Sequence, residues 1–463
     1  VLGLKGIRYM LDASQGLPLD FFFTAPSCVP ATRLETAGAE LTAQDLRALL
    51  DEPRVLGLAE MMNFPGVIIG RPSVLDKLEL FAARPRDGHA PGLSGPDLNA
   101  YLTAGIGSDH ECSTLTEATE KLARGMRIFI REGSTARNLS DLLPLVKSDN
   151  MRRVSFCTDD RLADDLIEAG HLDHVLRKAV AHGLAPIKAL TMATLNAAEA
   201  FRLSDRGALA PGFRADILIF NSLKSFELDR VLKDGCLVAQ EGELRATLPP
   251  PAMPDWASPM NMAPLDEEAL KLRAAGPRVR VMELIEDQIL TGHLVTETPV
   301  RDGCLVADPD RDLARVVVVE RHRATGNVGQ GLVKGFGFNK GAVASSVAHD
   351  AHNIVAAGMS GSEILAAIEA VERMRGGLAV VMGEQVLAEL SLPLAGLMSL
   401  APAREVAAAG KKLKRAALET GCLLKDPFTV LSFLALPVIP KLKLTDRGLV
   451  DVDLFDFIDL FVS

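Results

Sequence analysis

The sequence predicts an α/β protein: a (β/α)8, TIM-like barrel, then a small β-sandwich element and a separate C-terminal α+β domain. Three observations predict it. Up to about residue 202, short apolar runs alternate with helical patterns, as expected for parallel strands joined by crossover helices. Several of these runs end in a polar cluster, and such a barrel carries its chemistry at the C-terminal ends of its strands. Beyond residue 202 the texture changes twice, at a turn-rich segment and at a proline-rich one.

Taken in order, Leu19–Thr24 reads as a strand, and Val55–Ala59 is apolar on both faces, as a buried parallel strand should be. Met126–Ile130 and Val154–Thr158 look similar. Between them, Leu115, Ala118 and Leu122 recur at helical spacing within Thr114–Arg124. Gly207–Phe220 holds turn residues followed by a short strand. Pro249, Pro250, Pro251, Pro254, Pro259 and Pro264 mark a linker. From about residue 276 a new alternating region begins with Val279–Met282 and Ala314–His322, followed by a helix near Ser362–Arg373. The expected domains are therefore 1–202, 203–248, the linker 249–275, and 276–463.

Composition narrows the function classes. The 463 residues are 48% hydrophobic and 24% charged, so the chain can bury a large core without staples. A net charge of −10 argues against nucleic acid as a partner, because that binding needs a basic face. Cys28, Cys112, Cys157, Cys236, Cys304 and Cys422 form no C-x-x-C pair, which fits a reducing cytoplasm and argues against a zinc ribbon. The first residues do not read as a signal peptide, and the apolar stretch Val430–Pro440 is too short to span a bilayer. A soluble cytoplasmic protein, with no membrane partner, is expected. Gly331–Phe338 is glycine-rich but lacks phosphate-loop spacing. His-x-Glu with Pro-Cys-x-x-Cys, which a base-editing type of zinc deaminase needs, is missing.

The polar clusters carry the chemistry. Glu60 follows the first buried strand. Asp87-Gly88-His89, Ser108-Asp109-His110-Glu111, Arg131-Glu132-Gly133-Ser134 and Thr158-Asp159-Asp160-Arg161 come after it. Carboxylates and neutral imidazoles suit divalent first-row metals. Glu60, His89, His110 and Asp159, each ending a different strand, are the candidate ligands, and a bridging carboxylate would suit a pair of metals. Asp160 stays open as a substitute for Asp159. Glu111, Arg131, Glu132 and Ser134 are candidates for orienting a substrate, with a local Arg131–Glu132 ion pair as the alternative. In the last domain, His349 and His352 can share a helical face and bind a further metal, or belong to a hydrogen-bonded loop. His171 and His174 are expected to be solvated on an outer helix.

These clusters resemble the adenine deaminases of the amidohydrolase superfamily. The likeness extends over essentially the whole chain. It includes Glu60 within Gly57–Val67, His89 within Asp87–Gly95, and the segments 26–32, 192–199, 344–353 and 434–440. The resemblance implies hydrolytic deamination of adenine to hypoxanthine and ammonia, in purine salvage, by a metal-activated hydroxide. The cofactor would be a binuclear divalent centre of Mn or Fe, with Zn as a further option. Glu60 would bridge the metals, His89 and His110 would bind the second metal, and Asp159 would bind the first and shuttle the proton. A homodimer is expected. Two alternatives stay open: a related amidohydrolase acting on another heterocycle, and an inactive form that only binds metal or partners.

The chain departs from that pattern in one respect. The superfamily's His-x-His pair has no counterpart among the nine histidines. Leu4–Asp12 resembles the helix before a later barrel strand, so the first strands are expected to be absent from this chain. Truncation, omitted disordered segments or deletions, or a location elsewhere would each account for this. An open barrel edge is an aggregation hazard, so the chain expressed alone as written is expected to be inactive or insoluble.

Overall fold

The computed structural model describes residues 1–254, 256, 259–286 and 288–462. Backbone contacts divide it into two compact units. One comprises residues 7–28 and 41–253. The other comprises residues 1–6, 29–40 and 254–463. The short segment 29–40 therefore groups with the C-terminal unit, although it lies within the expected 1–202 domain. Strand–helix alternation along the chain does not register such a contact: Thr36 N–H donates to Asp446 Oδ1 at 2.8 Å, 410 residues away.

In the first unit, strands β1 (Phe23–Ala25), β2 (Val55–Met61) and β3 (Arg86–Gly88) pair in parallel. So do β4 (Ser108–Asp109), β5 (Arg127–Arg131) and β6 (Val154–Cys157). A backbone bond from Gly107 N–H to Arg86 O, at 3.0 Å, ties the two sets together. Each strand is followed by helix, as a barrel's right-handed crossovers require. The first strand is shorter than expected and starts at Phe23 rather than Leu19. The helix expected over Thr114–Arg124 spans Leu115–Ala123, with the Thr114 side chain accepting from Glu117 N–H at its start. Gly88 is required by close approach: a Cβ there would collide with Ser108 O across the β3–β4 seam. The small β element is a four-stranded antiparallel sheet of β7 (Ile217–Ser222), β8 (Glu227–Lys233), β9 (Cys236–Gln240) and β10 (Glu243–Leu244).

The second unit is built on a nine-stranded sheet. Its central strand, Leu313–Val319, is buried at every residue, and its run of four valines suits a strand covered on both faces. Val316 and Val318 join one core with Leu413, Ala416 and Leu431. Val317 and Val319 join the other with Ile364, Ala367, Ile368 and Val371 of the helix Gly361–Arg373. Alternate residues thus feed opposite faces, as the pleat dictates. Among the described residues, no helix is long and apolar enough to cross a membrane.

Lys443 lies fully buried in the strand Leu442–Thr445, with Nζ donating to Ile289 O at 3.0 Å. Burial lowers its ammonium to a pKa of about 7. The unfolded chain holds that proton to the ordinary lysine value, about 10.4. Between these two values the unfolded state binds more protons, so stability rises with pH. The urea midpoint is expected to climb from about pH 7 to about pH 9, with a slope of up to about 1.4 kcal/mol per pH unit. Lys443→Met should flatten that rise. A wild-type profile already flat over this window would contradict it.

Candidate metal centre

The candidate residues sit where the parallel strands end. Glu60 is the sixth residue of β2, His89 follows β3, His110 follows β4, and Asp159 comes two residues after β6. Glu60 Oε2 lies 3.0 Å from His89 Nδ1 and 3.1 Å from His110 Nε2. The two imidazoles stand edge to face, 5.6 Å between ring centroids. On its other side, His110 Nε2 is 3.5 Å from Asp159 Oδ2 and 3.5 Å from Glu111 Oε1. Two groups of metal-ligating atoms therefore share His110: Glu60–His89–His110 and His110–Glu111–Asp159. The donor set of neutral imidazole and carboxylate fits a first-row divalent metal. Buried His89 Nε2 has no hydrogen-bond partner, while the Glu60 side chain is 37% exposed and so reachable.

Local backbone explains how Asp159 arrives there. It takes a left-handed conformation with φ 51°, which Asp tolerates better than most residues. Arg131, the last residue of β5, is buried and spans the acidic side of the site. Its guanidinium pairs with Glu111, and reaches Asp159 Oδ2 at 2.8 Å and Asp160 Oδ2 at 3.2 Å. Of the two neighbouring aspartates, Asp159 is the one in a ligand group; Asp160 contacts Arg131.

A cavity of about 260 Å³ opens beside Glu60, His110 and Asp159. Thr24, Asp87, Phe129 and Phe201 also line it, and the two phenylalanine rings lie 5.9 Å apart at 30°. Aromatic faces of this kind suit a planar heterocycle. Asp87 was not singled out from the sequence as a site residue; burial raises its carboxyl pKa, and Ser108 Oγ–H donates to it. The only cue was its place beside His89.

Other expected residues stand elsewhere. Glu132 is buried and pairs with Lys178 Nζ at 2.6 Å rather than with Arg131, because successive residues at a strand end face opposite sides. Ser134 Oγ accepts from Leu162 N–H at 2.9 Å and so pins the loop that carries Asp159. His171 is not simply solvated: its Nε2 meets Thr158 Oγ1 at 2.9 Å, one residue before Asp159. His349 and His352 have ring centroids 6.0 Å apart and join no converging ligand group among the described residues. Ala348 N–H donates to His352 Nδ1 at 3.2 Å and occupies that lone pair, while His349 Nδ1 lies 3.3 Å from Asp350. This geometry matches the hydrogen-bonded loop.

Comparison with known proteins agrees with the geometry. Residues 2–238 match the amidohydrolase family model, and residues 288–456 match the adenine deaminase C-terminal domain. An adenine deaminase of Dehalococcoides mccartyi is 48% identical over 99% of this chain and 80% of its own length. That of Desulfatibacillum aliphaticivorans is 48% identical over 100% of this chain and 81% of its own length.

The chain belongs to the adenine deaminase family.

For an adenine deaminase, the charge pattern of the centre has a consequence for metal loading. Burial opposes charge on His110, but its hydrogen bond to Glu60 and the surrounding carboxylates outweigh this and raise its pKa well above the ordinary value. His89 is also raised. Burial likewise opposes the Glu60 carboxylate, and bonding to both imidazoles overcomes it. In the metal-free protein these ion pairs stabilise the fold fully below the unfolded histidine pKa, about 6.5, and lose that contribution as pH rises through the raised values. A divalent metal held by these residues would displace the same protons. Affinity for a divalent metal is therefore expected to increase from about pH 6 to about pH 8, with net proton release. Chelator competition at the two pH values checks it, and equal affinity at both would refute it.

Proposed function

We propose that this protein hydrolyses adenine to hypoxanthine and ammonia at the cavity beside Glu60, His89, His110 and Asp159. One observation carries the reading. These four side chains, far apart in sequence, converge around His110, and Glu60, His110 and Asp159 line one cavity, in a chain 48% identical along its length to named adenine deaminases.

Glu60, His89 and His110 would hold a divalent metal, with Glu60 shared and Asp159 serving a second position. Mn or Fe, with Zn as a further option, suits these donors. When bound, such a metal lowers the pKa of water and makes a nucleophile available near neutral pH. The protein's own groups do the rest. Asp159 Oδ2 accepts the proton of the attacking water and returns it to the departing amine, a general base and then a general acid. Arg131, 2.8 Å away, holds that oxygen in place. Phe129 and Phe201 form an apolar wall for the ring, and Asp87 supplies a polar contact at its edge, while Glu111 stands behind, paired with Arg131. One water is consumed, and its oxygen replaces the 6-amino group. The same reading includes a cytoplasmic homodimer serving purine salvage, expectations carried over from the sequence.

The test is turnover by the purified, metal-replete protein, and measurable turnover would at the same time overturn the expectation that the chain expressed alone is inactive or insoluble. Hypoxanthine and ammonia should form in equal amounts from adenine. Metal-replete protein that leaves adenine unchanged, or that prefers another heterocycle, would overturn the assignment.

A further inference from the structure

We infer that Lys121 and Asp109 form a positioning pair that bolts the His89 loop to the His110 loop and sets the geometry of the metal centre. This rests on the metal-centre reading above and adds two residues that touch neither substrate nor ligand atoms.

The strand pleat starts the argument. Ser108 Oγ turns toward Asp87, and His110 turns toward Glu60. Asp109, between them, faces the opposite side and meets the helix Leu115–Ala123. Both Asp109 and Lys121 have fully buried side chains. Lys121 Nζ has three donors, and each has an acceptor at 2.6 Å: Asp109 Oδ2, Glu117 Oε1 and Ala90 O. Asp109 Oδ1 in turn accepts from Ala90 N–H at 3.1 Å and Glu111 N–H at 3.3 Å. Cys112 Sγ lies 3.2 Å from the other oxygen.

The pair thus grips Ala90 by both its N–H and its C=O, immediately after His89, and grips Glu111 immediately after His110. Asp109, Cys112 and Glu117 also form a set of converging ligand-type atoms, but the ammonium of Lys121 already meets both of their carboxylates. The cation in this second cluster belongs to the chain itself. A buried ion pair with all its donors satisfied adds little net stability over an apolar substitute. What it specifies is geometry: the spacing of two loops whose imidazoles meet one carboxylate. Residues that orient ligands from behind commonly change metal affinity by about 10–100-fold when replaced.

The experiment measures Mn2+ binding by the electron paramagnetic resonance of the free ion, on the purified, chelator-stripped protein. Two variants are read beside the wild type. Lys121→Arg keeps the charge, but its planar fork cannot send one donor to each of three acceptors. The double variant Lys121→Met/Asp109→Asn removes both charges of the pair together, and Glu117 keeps the Gly92 and Ser113 N–H groups as partners. Both are expected to keep the far-UV circular dichroism of the wild type and to bind Mn2+ at least about tenfold more weakly. KM and kcat on adenine should both worsen in the double variant and recover partly in Lys121→Arg. Wild-type Mn2+ affinity in either folded variant would overturn the inference, because a pair needed only for stability leaves affinity unchanged. If the wild type itself binds no Mn2+, Fe2+ or Zn2+, the metal-centre reading fails first, which separates the two failures.

Discussion

Glu60→Gln is expected to abolish metal retention and adenine turnover together. Glu60 Oε2 sits between His89 Nδ1 and His110 Nε2, at 3.0 and 3.1 Å. Glutamine matches its shape but carries no charge, and an amide oxygen is a far poorer metal ligand than a carboxylate. Replacing a residue that only orients a ligand commonly changes metal affinity or activity by about 10–100-fold, and loss of a ligand's own charge should cost at least as much. Metal analysis and turnover should fall in parallel by at least about a hundredfold, with circular dichroism unchanged. A Glu60→Gln protein that keeps wild-type metal content would remove Glu60 from the ligand set.

Asp159→Asn should cost chemistry more than substrate binding, with Glu60, His89 and His110 still in place to hold a metal. Asparagine also tolerates the left-handed backbone of this position, φ 51°, so the loop keeps its path. The amide cannot take a proton from water. Loss of general acid–base help commonly lowers the rate by about 10²–10⁴-fold, and kcat should fall by that amount with a smaller change in KM. Asp160→Asn is the matched comparison. Asp160 meets Arg131 at 3.2 Å and, among the described residues, belongs to no converging ligand group, so the kcat of that variant should stay within about tenfold of wild type. If the two variants exchange these phenotypes, Asp160 holds the proton-carrying role.

Much of the first unit was legible because consecutive residues encode it. The apolar runs at Val55 and Val154 became strands Val55–Met61 and Val154–Cys157, and the helical spacing around Ala118 became the helix Leu115–Ala123. The polar residues after these strands were legible for the same reason. Glu132 was not: one residue from Arg131, it turns the other way to Lys178, and spacing alone does not say which neighbour faces inward. Lys121 escaped notice because a lysine on an amphipathic helix ordinarily reads as solvated surface. The available signal was Glu117 four residues before it and Asp109 flanking a candidate ligand.

The sequence by itself determined the order of strands and helices and the side-chain chemistry at each strand end, a donor set of imidazoles and carboxylates. Apolar periodicity and turn residues act between neighbours along the chain, so local reading captures them. Tertiary structure alone decided which of those side chains meet. Strand register brings Glu60 to His89 and His110, one left-handed residue turns Asp159 toward them, and burial beside opposite charge sets their protonation. Each depends on contacts between residues far apart in sequence, whose spacing no local pattern encodes.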